Sequence, residues 1–173
     1  MTAKKSATSS IVNERFTRRY LPHWQIAGSV YFLTWRCADG VVLVEKERDI
    51  VLNSIRFWDG KRWEVYAAVV MPDHVHALVR PLEKDEGRWN LSVLMHSVKS
   101  FSAHEILKLR KLSGIVGAIW MEEYYDRWMR DEQEIEEKWN YIQQNPCRAG
   151  LVPLPDEYQW LWYRTSDNPV SSQ

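Results

Sequence analysis

Two periods of apolar spacing divide the chain. The β-branched and aromatic run Ser29–Arg36 (SVYFLTWR) predicts a first strand, and Asp39-Gly40 turns the chain into the short run Val41–Val44. A helix is expected from about Glu45 to Trp58, with Val51, Leu52, Ile55 and Trp58 on one side, ended by Asp59-Gly60. Trp63–Met71 reads as a second strand, Pro72-Asp73 interrupts it, and His74–Arg80 returns as a third, making a hairpin. Asn90 then caps a helix whose stripe runs Leu91, Leu94, Val98, Phe101, Ile106 and Leu109, roughly to Leu112. After the Gly114–Gly117 loop, Ile119–Met129 supplies a fourth strand, and a last helix runs from Asp131 to about Asn145, where Pro146 stops it. The order β, α, β, β, α, β, α predicts an α+β fold, a mostly antiparallel sheet with helices packed on one face.

At 173 residues the chain is expected to form a single domain, residues 1–173, with loose tails at 1–13 and 166–173. Apolar content of 45% excludes largely disordered and collagen-like classes. Cys37 and Cys147 are too few for a disulfide framework, and no apolar run is long enough to span a membrane, so a cytoplasmic protein is expected. The net charge is zero, but residues 1–121 hold 18 basic and 12 acidic side chains while the remainder is acidic, so a polyanion would meet the first part of the chain. Ten Trp and eight Tyr supply flat faces that can fill a core or stack on unpaired bases.

His74 and His76 lie two apart on a strand, which puts both side chains on one face, ~6.5–7 Å apart along the chain. Two imidazoles that close can share a metal ion, and they read equally as half-exposed histidines with no ligand. In the last helix, Ile135, Trp139 and Ile142 form the core stripe. Tyr141 points about 130° away from them, at ~100° per residue. Asn145 shares the tyrosine's face one turn on, and the pair reads equally as a surface Tyr and a helix-ending Asn before Pro146. Together these groups fit one reaction. Two neutral imidazoles, an amide oxygen and waters make a site for Mg²⁺ or Mn²⁺ with positions left for phosphate oxygens, and Tyr141 attacks a DNA phosphodiester to leave a phosphotyrosine. No Gly-x-x-x-x-Gly-Lys phosphate loop is present, and a transfer between phosphoesters needs none.

The stretches RRYLPHW, YFLTWR, VVMPDHVHALVRP, SVKSFSAHEI, YYDRWMRDEQE and YIQQNPCRAGLV, in this order, resemble the REP-associated tyrosine transposases. These belong to the single-tyrosine HUH transposases of the insertion-sequence type, and the likeness covers roughly residues 15 to 165. The resemblance implies a ferredoxin-like or RRM-like sheet with the HUH motif on a central strand. It implies His74 and His76, flanking Val75, together with Asn145 as metal ligands, and Tyr141 of the Tyr-Ile-x-x-Asn-Pro motif as nucleophile. The implied substrate is single-stranded DNA beside hairpin-forming palindromes, contacted by Lys99 and by Arg15, Arg18 and Arg19, and the implied assembly is a monomer or homodimer. The three arginines read also as a solvated basic stretch. Where many relatives carry Gln or Arg after Trp120, this chain has Met121, Glu122 and Glu123, and acids repel phosphate.

Two other enzyme classes fail on the same residues. A histidine-triad hydrolase needs a third alternating histidine where Leu78 stands, and a His-x-His-x-Asp-His zinc hydrolase lacks its Asp and its further His. The competing function is a non-catalytic protein of the same fold that holds hairpin DNA or RNA on its aromatic residues.

Overall fold

A computed structural model of the protein describes residues 29–165, apart from 112, 113, 115 and 116. The tails expected at 1–13 and 166–173, and Arg15, Arg18 and Arg19, lie outside the described residues. The elements are β1 (Tyr31–Cys37), α1 (Glu45–Arg56), β2 (Trp63–Val70), β3 (His74–Pro81), α2 (Leu91–Lys111), β4 (Trp120–Trp128), α3 (Glu132–Arg148), a 3₁₀ turn at Pro155–Glu157 and β5 (Leu161–Tyr163). They form one antiparallel five-stranded sheet in the order β4-β1-β3-β2-β5, so the strand carrying both histidines is the central one.

The register decides which side chains share a face, because residues directly opposite in a ladder point the same way. Trp35 pairs with Val75, and Trp120 lies across from Cys37, two residues on from Trp35. This face is closed by α2, where Ser102 Oγ accepts a hydrogen bond from the Trp120 indole at 3.1 Å, and by α1, which α2 grips through the Arg110–Glu47 ion pair. Thr34 pairs with His76, and α3 lies over that side, carrying Tyr141 against His76. The helical layer expected over one face is thus made by α1 and α2, while α3 adds a partial cover to the other.

Side-chain hydrogen bonding shifts the inner stripe of α2. The buried line is Leu94, Met95, Val98, Ser102 and Ile106, and Phe101, expected on the stripe, is 56% exposed with Leu109 also outside. The Trp120 indole N–H needs an acceptor inside the protein, and Ser102 supplies it while donating its own proton to Val98 O at 2.7 Å.

Two further expectations are corrected. Trp58 falls in the turn after α1, where its carbonyl accepts from the Lys61 and Arg62 amides. Pro146 does not stop α3, which runs on to Arg148. So close to the end, proline removes a single helical donor, and the Ala149, Gly150 and Leu151 amides close the turn on Asn145, Cys147 and Pro146, with Gly150 at φ +70 reversing the chain. The strand β5 was not foreseen. Its three residues are too few to show a period, and it is held by tertiary bonds: pairing with β2, and Arg164 reaching Val65 O and Asp59. Among the described residues, no helix is long and apolar enough to cross a membrane.

Candidate active site

The site is built where β1, β3 and α3 meet. His74 and His76 stand on one face of β3, their ring centroids 4.8 Å apart. Each has its Nδ1 engaged by a neighbour: His74 Nδ1–H donates to Asp73 Oδ1 at 2.6 Å, and His76 Nδ1 is hydrogen-bonded to Thr34 Oγ1 at 2.7 Å. A fixed Nδ1 sets the tautomer and aims Nε2 outward, as the outer partners of metal-binding histidines do. Among the neighbours of His76 is the ring of Phe32, stacked on it at 5.3 Å.

Helix α3 brings the tyrosine. Asp131 caps it by accepting from Glu134 N at 2.8 Å, and Ile135, Trp139 and Ile142 bury its inner edge. With that edge against the sheet, Tyr141 projects its hydroxyl to 3.5 Å from His76 Nε2, across 65 residues of sequence and within one chain. Asn145 lies one turn further along, 8% exposed. Lys138, one turn before, holds its ammonium 4.9 Å from the Phe32 ring and 5.6 Å from the Tyr141 ring, and the Arg148 guanidinium approaches Tyr141 at 5.6 Å.

Burial, with the positive charges of His74 and Lys138, pushes the His76 imidazole down to about 3, so at neutral pH it is an uncharged donor. Burial alone would raise the Asp73 carboxyl, but the hydrogen bond and charge of His74, with Arg36 beside it, hold it below the ordinary range, so it stays an acceptor for His74. Among the described residues no group of three or more His, Cys, Asp and Glu gathers to form a metal cage. The two imidazoles stand next to a helix that carries Asn145 one turn beyond Tyr141 and places Lys138 and Arg148 beside the tyrosine ring.

Of the residues singled out from the sequence, His74, His76 and Tyr141 meet, and Asn145 shares the helix. Lys99 is elsewhere: its ammonium hydrogen-bonds the backbone carbonyls of Met121 and Glu122 at 2.8 and 2.5 Å, tying α2 to the start of β4. Thr34, Asp73, Phe32, Lys138 and Arg148 were not singled out. Lys138 could have been found from its spacing, three residues before Tyr141 on the same helix face. Thr34 could not, since its role depends on strand register.

A sheet presenting two oriented imidazoles to a tyrosine on a covering helix defines a class of α+β protein in which hydroxyl, imidazole and cations converge on one face. Residues 34–145 match the family described as "Transposase IS200 like", and the chain belongs to that family of DNA-processing enzymes. An uncharacterized protein of Haemophilus influenzae is 29% identical over 143 residues, covering 67% of this chain and 79% of that protein. A second protein of that organism, named "Putative REP-associated tyrosine transposase", is 20% identical over 147 residues, covering 77% of this chain and 78% of its own. The fold matches the solved structure of a REP-associated tyrosine transposase bound to a REP hairpin, with a TM-score of 0.63 and 20% identity, covering 84% of this chain and 80% of that one.

Proposed function

We propose that the protein cleaves and rejoins single-stranded DNA next to hairpin-forming palindromes, with Tyr141 as nucleophile and Mg²⁺ or Mn²⁺ held by His74, His76 and Asn145. The observation that carries this reading is the approach of the Tyr141 hydroxyl to His76 Nε2 at 3.5 Å. The hairpin is taken from the related protein, which was solved on one.

The residues fit such an ion. His76 is neutral, both imidazoles are oriented through Nδ1, and a donor set with no carboxylate holds a hard cation loosely enough for phosphate oxygens to join it. When bound, the ion would draw charge from the phosphate oxygens as a Lewis acid. The remaining work belongs to the chain. Lys138 and Arg148 attract the phosphate towards α3, and Phe32 with the Ile135–Trp139–Ile142 edge fixes the ring of Tyr141. The phenolic oxygen bonds to phosphorus as the P–O3′ bond breaks. The phenol proton is balanced by protonation of the leaving 3′ oxygen, giving a 5′-phosphotyrosine and a free 3′-hydroxyl. Attack by a 3′-hydroxyl on the phosphotyrosine reverses the step and rejoins DNA.

A single-stranded oligonucleotide bearing a hairpin and labelled at its 3′ end, incubated with Mn²⁺, is expected to yield a covalent protein–DNA band on a denaturing gel. Chelator should remove the band and Mg²⁺ or Mn²⁺ restore it. Binding of the hairpin with no covalent band under any divalent ion would leave a hairpin-binding protein and overturn the cleavage reading.

A further inference from the structure

The cross-strand row that contains His76 continues to the edge of the sheet. Thr34 pairs with His76 on one side and with Tyr125 on the other, so His76, Thr34 and Tyr125 stand side by side on the same face. The Thr34–His76 hydrogen bond confirms the facing at one end. Two strand spacings, about 10 Å, separate Tyr125 from His76. Tyr125 is 56% exposed on the edge strand β4, and among the described residues no ring, hydrogen bond or ion pair engages its side chain.

A phenol ring open to water on the reactive face offers a flat apolar surface on which a base can stack. The charges around it say which part of a nucleotide that is. Beside α3 the side chains are cationic, Lys138 and Arg148 both lying against the Tyr141 ring, while at His74 the Arg36 guanidinium is paired with Asp73 at 3.7 Å. Around Tyr125 they are acidic or neutralised. Glu123 lies two residues before it on β4, and Arg127 on the same face is tied to Glu134 at 2.8 Å. A phosphate is attracted to the first region and repelled from the second, whereas an uncharged base is repelled by neither.

We propose that Tyr125 is a stacking platform for an unpaired nucleobase of the DNA strand, held beside the phosphate that lies at His74, His76 and Tyr141. The proposal rests on the single-stranded DNA reading above and adds the direction of the strand, which runs from α3 across Thr34 to β4. Stacking is tolerant of base identity, so the contact positions the strand rather than reading its sequence.

The test uses a DNA hairpin with a single-stranded oligothymidine flank on each side and an abasic residue walked along the flanks, with binding measured by fluorescence anisotropy. One abasic position should weaken binding to the unaltered protein roughly five- to a hundredfold. Tyr125→Leu, which keeps an apolar side chain but no ring, should show the same loss with the intact flank and no further loss at that abasic position, while Tyr125→Phe and Tyr125→Trp should bind like the unaltered protein. Equal binding by Tyr125→Leu and the unaltered protein overturns the proposal, as does a lowered melting temperature with unchanged binding, which makes Tyr125 a packing residue. Loss of the covalent band in Tyr125→Phe also overturns it, since the hydroxyl would then be taking part in cleavage. Failure of the broader reading looks different: no covalent band forms even with Tyr125 intact.

Discussion

Val75 and His76 are neighbours on β3, yet they face different environments. On the Val75 side two helices seal the sheet, and Trp120 is answered by Ser102 and Glu47 by Arg110 and by the Val44 amide. On the His76 side a single helix leaves a ledge where two imidazoles and a phenol meet the cations of Lys138 and Arg148. The period-two alternation of one strand thus separates a sealed, rigid face from an open one that gathers polar and titratable groups. Substitutions on the sealed face should lower stability while leaving cleavage per folded molecule intact, and those on the open face should do the reverse.

The largest stability effect is expected from Leu94→Ala, which empties a fully buried position on α2 and should cost about 3–5 kcal/mol in denaturant unfolding. Next comes Glu47→Gln, which removes the charge partner of Arg110. Arg110 donates to both carboxylate oxygens, at 2.6 and 2.8 Å, and the loss should be about 3 kcal/mol or less because the arginine is partly open to water.

That pair also carries a pH signature. Burial alone would raise the Glu47 carboxyl, but the Arg110 hydrogen bonds, the Val44 amide and the Arg110 charge outweigh it and hold the group below 4.5. A carboxyl depressed by folding adds stability that is complete above its unfolded value and lost as pH falls below 4.5 through the folded value. The gap between the unaltered protein and Glu47→Gln should therefore narrow on acidification through that window, and a constant gap would separate the pair's contribution from its charge. Ser102→Ala should cost less, about 1–2 kcal/mol, by leaving the Trp120 indole N–H without its acceptor.

How far such a division could be read beforehand differs from element to element. The alternation in HVHALVR placed both histidines on one face, and the angular position of Tyr141 off the Ile135–Trp139–Ile142 stripe is where the structure has it. Both signals are local. Misreadings arose where a distant partner decides the outcome. Phe101 is the more apolar residue, but Ser102 takes the inner position of α2 because Trp120, 18 residues away, needs its hydroxyl. Likewise, β5 exists through its pairing with β2, and α3 continues past Pro146 because the following turn closes on it. The orientation of His76 by Thr34 spans 42 residues and follows only from the register of β1 on β3.

The central claim is that the open face exists for Tyr141, and Tyr141→Phe tests it most directly. The hydroxyl is its only loss and lies at the ledge rather than in the core, so unfolding free energy should change by less than about 0.5 kcal/mol and hairpin binding should persist. The measurement is covalent capture of 3′-labelled, hairpin-bearing single-stranded DNA in Mn²⁺. A covalent band is expected with the unaltered protein and none with Tyr141→Phe at matched binding and stability. A band of equal strength from the Phe variant would contradict it and move the nucleophile to another residue.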